Sequence, residues 1–490
     1  MKRHLPQTHL TILLGLLVLT ATTRATDTEK PPNIVFLLAD DLGWTGLGCY
    51  GSDLYETPNL DRLASEGCRF TQAYAACTVC SPTRASLMTG QYPARLHLTD
   101  FIAGQNRPFA RLSIPDWTKE LEHRHDTLAE ALKKDGYHTS LVGKWHLERK
   151  GTTRGFGPTD HGFNESLHKP IGTRGYYLRE SFEDLGESKS RYGTDYLTDQ
   201  ALEVIDREAR TTDPFFLMFG YHTPHTPIQG RKDLVEAFQK KVQPGATHKN
   251  PTYAAMVKSL DQSVGRILER LDRHQLTDNT VVVFMSDNGG LTQRYGRHDG
   301  FTENLPLRRG KGSAYEGGVR VPMIVKWPGK SKAGTLCHEP VCSIDWFPTF
   351  LPETPPAQTD GRDLSPLLQE PTSSLNRNLY WHYPHYHAGG DGPYSAIRSG
   401  DWRLIHFHEG GPLELYHLKE DIGEKHNLAE KYPEKTNQLM ASLDDWRKEV
   451  AAQMPRPNPA FDPAKQQQVT KSARKKSPGK RSASPTGPGN

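Results

Sequence analysis

Six cysteines among 490 residues are too few to staple a disulfide-built scaffold. Cys77-x-x-Cys80 stands without a second close Cys/His pair at zinc spacing and without a thioredoxin-like context, so a zinc or redox motif is set aside. Long apolar runs are scarce as well. Leu10 to Leu19 falls far short of the roughly 20 residues that span a bilayer, and no other segment is apolar enough to cross one. Its flanks, Lys2-Arg3-His4 before it and small residues with Thr23 and Ala25 after it, read as a cleaved signal peptide over residues 1–25 and hence an exported chain. Acidic side chains are missing from residues 464–490, which hold seven Lys/Arg. Residues 1–463 then carry 54 basic against 57 acidic side chains, so the formal +4 of the whole chain resides in its end. The folded part has no basic bias towards nucleic acid. No internal repeat is present.

Hydrophobic residues at 35% and charged residues at 24% suit a large soluble enzyme. Three apolar runs read as strands buried on both faces of a parallel sheet: Asn33 to Leu38, Pro214 to Phe219 and Val281 to Met285. Amphipathic stretches such as Thr127 to Lys134 and Tyr253 to Arg273 lie between them, and this alternation predicts an α/β domain. Pro352-Glu353-Thr354-Pro355-Pro356 marks a boundary. Beyond it, short strands at Leu379–His382, Ser395–Arg398, Trp402–Phe407 and Leu413–Leu418 precede a helix over Pro433 to Val450. The expected organisation is a catalytic domain over 26–355, a small α+β domain over 356–455, and a solvated basic tail over 456–490 that includes Arg474-Lys475-Lys476.

The first and third apolar runs end in Asp40-Asp41 and in Ser286-Asp287-Asn288-Gly289-Gly290. Ligands of open parallel sheets bind beyond the carboxyl ends of the strands, so these oxygen donors fall where a hard cation, calcium or magnesium, would be held. A single Asp-Asp pair is an ordinary solvated turn; two acidic strand ends together point to metal. Gly143-Lys144-Trp145-His146 places a cation and an imidazole on one side of an extended segment. Pro224-His225-Thr226-Pro227 puts a histidine on a stiff turn, and Arg309-Gly310-Lys311-Gly312 puts a lysine in a loop able to approach an anion. Cys80-Ser81-Pro82-Thr83-Arg84 continues as Ala85-Ser86-Leu87-Met88-Thr89-Gly90.

In this order the motifs resemble those of the type I sulfatases of the alkaline phosphatase superfamily. Gly317-Gly318-Val319-Arg320-Val321-Pro322 and Asp345-Trp346-Phe347-Pro348-Thr349 look like further landmarks of that family. The resemblance implies an alkaline-phosphatase-like fold, a large mainly parallel sheet sandwiched by helices, with a smaller C-terminal α+β domain. It implies that a formylglycine-generating enzyme oxidises Cys80 to formylglycine, whose hydrate is the nucleophile. It further implies one calcium ion on Asp40, Asp41, Asp287 and Asn288, with matured Cys80 beside it. By the same resemblance Arg84 and Lys144 hold the formylglycine and His146 contacts it. His225 and Lys311 meet the leaving oxygen of a sulfated carbohydrate or aryl sulfate, and the second hydroxyl of the hydrate loses its proton to expel sulfate.

Two departures from the family pattern are Glu148, where relatives often have glycine, and Gly46, where an acid is frequent. Two other readings share the motifs: a formylglycine-dependent phosphate or phosphonate ester hydrolase, and an inactive sulfoglycan-binding protein with an unconverted Cys80. The stretch Trp381-His382-Tyr383-Pro384-His385-Tyr386-His387 either lines a sugar pocket or packs as a strand, and Asp160 to Phe163 is placed at the border of the site. Conversion of Cys80 would leave five cysteines, with a Cys337–Cys342 pairing open.

Overall fold

The structure, a computed structural model, describes residues 30–149, 155–167, 175–178, 191–294, 300–353 and 358–469. The expected signal peptide, Pro355-Pro356 of the turn-rich segment and the Arg474-Lys475-Lys476 cluster lie outside the described residues. Thirteen strands and five helices carry the architecture relevant here. They are β1 (Asn33–Ala39), β2 (Cys68–Tyr74), α1 (Cys80–Thr89), α2 (Leu128–Lys134), β3 (His138–Gly143), β4 (Glu165–Leu167), α3 (Gly193–Glu208), β5 (Phe215–Gly220), α4 (Pro251–Arg273), β6 (Thr280–Ser286), β7 (Arg320–Lys326), β8 (Thr335–Cys337), β9 (Val341–Cys342), β10 (Asn378–Tyr383), β11 (Tyr394–Ser399), β12 (Trp402–Phe407), β13 (Glu414–His417) and α5 (Pro433–Glu449).

The large sheet runs β8-β2-β7-β6-β1-β5-β3-β4, with β9 also against β2. Every pairing is parallel except those that β7 makes with β2 and β6. Alternate residues of β1 serve opposite cores, as the two-residue strand period requires. Val35 and Leu37 face a cluster built with α3 and α4, whereas Ile34, Phe36 and Leu38 face one built with α1 and α2. β5 and β6 divide in the same way, which is why all three runs are apolar throughout. Helix α2 starts at a reciprocal cap: the Thr127 hydroxyl accepts from the Glu130 N–H, and the Glu130 carboxylate accepts from the Thr127 N–H.

The four strands β10 to β13 form an antiparallel meander, and α5 packs on it. This second sheet shares a core with the first, where Trp381 and Tyr383 meet Tyr74, Cys77 and Val79. Buried polar groups fix the contact. Trp381 Nε1 donates to the Ala75 carbonyl at 2.9 Å, and Arg403 pairs with Glu316 at 2.9 Å and with Glu424 at 3.4 Å. The aromatic and histidine-rich stretch, the end of β10 and the residues just after it, is buried throughout: Trp381, Tyr383 and His385 pack between the sheets, and His387 ends against Gly312.

Part of the expected solvated tail is docked. Arg456–Pro457 pairs antiparallel with Leu112–Ser113, and Asn458 Nδ2 donates to the carbonyls of Pro108 at 2.9 Å and Ala110 at 2.7 Å. Proline is tolerated in such a two-residue edge pairing, and asparagine satisfies two loop carbonyls that would otherwise need water. All six cysteines are unbridged, Cys337 and Cys342 included.

Asp100, in a loop outside both sheets, accepts from the Tyr383 hydroxyl of β10 at 2.8 Å and from the neighbouring Phe101 N–H at 2.9 Å. Burial pushes its carboxyl up to about 7. The folded chain therefore keeps a proton that the unfolded chain releases near pH 4, so this contribution to stability fades as pH rises towards neutrality. The Tm of Asp100→Asn relative to wild type is expected to climb between about pH 4 and pH 8, and a flat difference across that window contradicts the assignment.

Candidate active site

Register brings the chemistry to one edge of the sheet. Leu38 stands opposite Gly220, Ala39 opposite Ser286, and Gly143 opposite Gly220. The residues that follow, Asp40, Lys144 and Asp287, consequently leave neighbouring parallel strands side by side. Close approach is a condition of this arrangement. Gly143 has φ +89°, and a Cβ there would stand 2.1 Å from the Gly220 carbonyl oxygen; a Cβ on Gly220 would stand 2.3 Å from the Lys144 carbonyl oxygen.

Three carboxylates are matched by three cations. Lys144 Nζ donates to Asp40 Oδ2 at 2.5 Å, Lys311 Nζ to Asp41 Oδ1 at 2.6 Å, and Arg84 Nε to Asp287 Oδ2 at 2.9 Å. Asn288 Nδ2 donates to Asp41 Oδ1 at 2.8 Å. Burial pushes the Asp40 carboxyl up, but Lys144, His225, Arg84 and Lys311 outweigh it and hold the group well below the usual range. Asp41 is held down in the same way, chiefly by Lys311 and His225 against burial. Asp287 goes the other way, because burial and the neighbouring Asp40 exceed the pull of Arg84 and Lys144.

Cys80 opens α1, and Arg84 follows one turn later on the same face. The Arg84 guanidinium also donates from Nη1 to the Lys144 carbonyl at 2.8 Å, tying the helix to two strand ends. Cys80 Sγ lies 3.4 Å from His146 Nδ1. The His146 Nε2 is 2.6 Å from the Ile102 carbonyl, a contact that assigns the ring proton to Nε2 and leaves Nδ1 bare towards position 80. Burial and Lys144 keep His146 neutral. Burial also pushes the Cys80 thiol up, with Lys144 and Lys311 pulling against it, so the unmodified side chain is a poor source of thiolate.

His225 is about one-third exposed, and its Nε2 lies 3.7 Å from Asp41 Oδ2. Its Nδ1 is 2.5 Å from the Thr226 carbonyl, and the Tyr176 hydroxyl holds the His225 carbonyl at 2.8 Å. Lys311 is kept protonated: burial lowers it, but Asp41 raises it further. The structure therefore gathers Asp40, Asp41, Cys80, Arg84, Lys144, His146, His225, Asp287, Asn288 and Lys311 into one cluster.

The donor set fits a hard divalent cation. Asp40, Cys80 and Asp287 offer atoms all within 4.8 Å of one another, as do Asp40, Asp41 and His225. Asp40 Oδ1 and Asn288 Oδ1 are buried without a hydrogen-bond partner, a costly condition that a cation would relieve.

Residues 160–163 touch the Lys144–His146 motif through Trp145. His161 and Phe163 pack against Trp145, and the Asp160 carboxylate caps the Gly157 N–H at 2.9 Å. One histidine near the site, His222, escaped the sequence reading, and another, His387, was read only as the end of the Trp381–His387 stretch. His222, three residues before His225, is pushed down to about 3 by burial and Lys144. His387 lies so close to Gly312 that a Cβ on that glycine would stand 2.1 Å from His387 Nδ1. The Tyr221-His222-Thr223-Pro224-His225 string was the available signal for the first; the second depends on the meeting of the two sheets.

The family profile described as Sulfatase matches residues 32–354. This chain belongs to the sulfatase family. It is a sulfuric ester hydrolase of the alkaline phosphatase superfamily, and a second profile, N-sulphoglucosamine sulphohydrolase C-terminal, matches residues 310–451. A sulfatase of Formosa agariphila is 31% identical, over 86% of this sulfatase and 89% of its own length. Human N-acetylgalactosamine-6-sulfatase is 35% identical, covering 70% of this chain and 67% of its own. Human arylsulfatase A is 31% identical over 81% and 83%. Among solved structures, Ps i-CgsB superposes with a TM-score of 0.71 at 27% identity, over 88% of this sulfatase and 95% of that chain. The phosphonate monoester hydrolase of Agrobacterium radiobacter, at 21% identity and a TM-score of 0.63, shares the fold.

Gly143→Ala adds a methyl group against the Gly220 carbonyl at a backbone angle that disfavours any Cβ. Thermal unfolding is expected to show a loss of at least about 2 kcal/mol together with lost sulfate release. Wild-type stability in this variant would mean that β3 and β5 are not held this close.

Proposed function

We propose that this sulfatase is exported and hydrolyses sulfate monoesters on a carbohydrate. In this reading Cys80 is matured to formylglycine by a separate enzyme, and one calcium ion is held by Asp40, Asp41, Asp287 and Asn288 beside it. The observation that carries it is the meeting of a buried Cys80 with two acidic strand ends and two lysine ammonium groups. The relatives named above include human enzymes for N-acetylgalactosamine 6-sulfate and aryl sulfates, and Ps i-CgsB has been solved with k-i-k-neocarrahexaose. These favour a sulfated sugar as substrate.

When present, calcium supplies Lewis-acid neutralisation of the sulfate oxygens, and the formylglycine hydrate supplies an attacking hydroxyl and a second one that lets sulfate leave. The chain's own groups do the rest. Lys144 and Lys311, both charged, flank position 80 and set positive charge where the non-bridging oxygens arrive. Arg84 holds the helix start and the Asp287 carboxylate in one orientation. His146 Nδ1 is the bare base that takes a proton from the group at position 80. Lys311, and from the more exposed side His225 when its Nε2 is also protonated beside Asp41, face the leaving oxygen, where a donated proton turns a sugar alkoxide into an alcohol.

In the purified protein the peptide spanning Cys80 is expected to carry an aldehyde that a hydrazine probe captures. Cys80→Ala is expected to lose sulfate release from 4-nitrophenyl sulfate by on the order of 1000-fold or more. Full activity in that variant ends the proposal, and faster turnover of a phosphonate ester than of the matched sulfate shifts it to the other hydrolase class.

Leaving-group demand separates the role of His225. His225→Ala is expected to slow release from a sugar sulfate by about 100-fold or more, but to slow 4-nitrophenyl sulfate far less, because nitrophenolate departs without a proton. Equal loss on both substrates removes His225 from the leaving-oxygen side.

A further inference from the structure

Next to the reaction centre a groove of about 350 Å³ opens between residues 103–108, residues 113–119 and Asn458. Two links join it to the centre. Ile102, just before the groove wall, accepts from His146 Nε2 on its carbonyl and donates its N–H to Ser81 Oγ at 3.1 Å. Arg107 donates from Nη2 to the His387 carbonyl at 3.0 Å, and His387 abuts Gly312, the neighbour of Lys311.

The charge in this groove is unbalanced. Arg107 is half-buried, yet its partners are neutral: the Gln467 amide oxygen at 3.0 Å, the His387 carbonyl and the Tyr386 ring at 5.5 Å. Its Nε is buried without a hydrogen-bond partner, and among the described residues no carboxylate pairs with it. Burial pushes its pKa down, and Tyr386, Tyr383 and the more distant Glu409 offset only part of that, the mark of a cation stripped of water with incomplete compensation. Lys119 lies over the Trp117 ring at 5.5 Å; its charge acts on the buried Asp100, but no described carboxylate forms a close ion pair with it. The acid in the lining, Asp116, is exposed to solvent.

The docked end of the chain holds this arrangement. Asn458 ties the Pro108 and Ala110 carbonyls, and Gln467 meets Arg107 directly. A desolvated guanidinium with neutral partners costs stability unless an anion arrives, and its planar fork suits sulfate and carboxylate alike.

We propose that the groove is a subsite for a second anionic sugar residue, with Arg107 and Lys119 binding its sulfate or carboxylate, so that the substrate is a polyanionic oligosaccharide. This rests on the sulfate-ester reading of the centre. Wild type, Arg107→Ala and Lys119→Ala are compared on 4-nitrophenyl sulfate, on monosulfated disaccharides, and on oligosaccharides with either a further sulfate or a uronate. The two oligosaccharide arms tell which anion is taken. Either variant is expected to raise KM for the preferred oligosaccharide about tenfold, with kcat and the two simpler substrates unchanged. Equal loss on all substrates, or an unaltered oligosaccharide preference, overturns the subsite; Lys119→Ala, a change at the groove surface, covers the case in which Arg107→Ala does not fold. Absence of sulfate release from every substrate by wild type defeats the reading of the centre instead. The groove is then judged by calorimetric binding of the same oligosaccharides, where equal affinity of wild type and Lys119→Ala overturns it.

Discussion

The site depends on charge neutrality inside a dry sheet edge. Three carboxylates at adjacent strand ends would repel one another and forfeit hydration, a penalty on the order of several kcal/mol per ion. Lys144, Lys311 and Arg84 offset this one for one, each on a different carboxylate. The balance is uneven in a useful way. Asp40 and Asp41 are held ionised, whereas Asp287 is driven towards its neutral form. The unpartnered Asp40 Oδ1 and Asn288 Oδ1, rather than a surplus of negative charge, are what a bound cation would meet there.

Parallel pairing makes that cluster possible at all. In an antiparallel sheet neighbouring chain ends alternate between edges, but β6, β1, β5 and β3 all finish on the same one. Glycine then lets the departing segments pass each other at Gly143 and Gly220. Helix α1 closes the space and presents Cys80 and Arg84 one turn apart. No single motif builds the site; the register of four strands does.

Much of this was legible in the chain. The three apolar runs became strands of the parallel core because residues buried on both faces leave no polar alternation, and the acidic ends of the first and third fell where strand ends must. The antiparallel setting of β7 was not legible, since Arg320 to Lys326 reads like any buried strand. Trp381 to His387 left two uses open, because composition does not say whether a ring meets a sugar or another core. Only the meeting of the two sheets decides for packing. Composition after Pro455 misled for a similar reason: Arg456–Pro457 and Asn458 look like tail, yet the partners that seat them lie some 350 residues earlier in sequence. His387 reaches the neighbourhood of Lys311 through the same long-range contact.

One feature governs when this protein can be completed. Cys80 is only 2% exposed, at the first residue of α1 and enclosed by Asp40, Asp287 and the His146 ring that leans on the Ile102 carbonyl. A catalyst large enough to oxidise that thiol has no route to it once the sheet has assembled. Formation of the aldehyde, on the proposed chemistry, belongs to the nascent or unfolded chain, and a molecule that folds ahead of its modifying partner is locked into a permanently thiol-bearing, idle form.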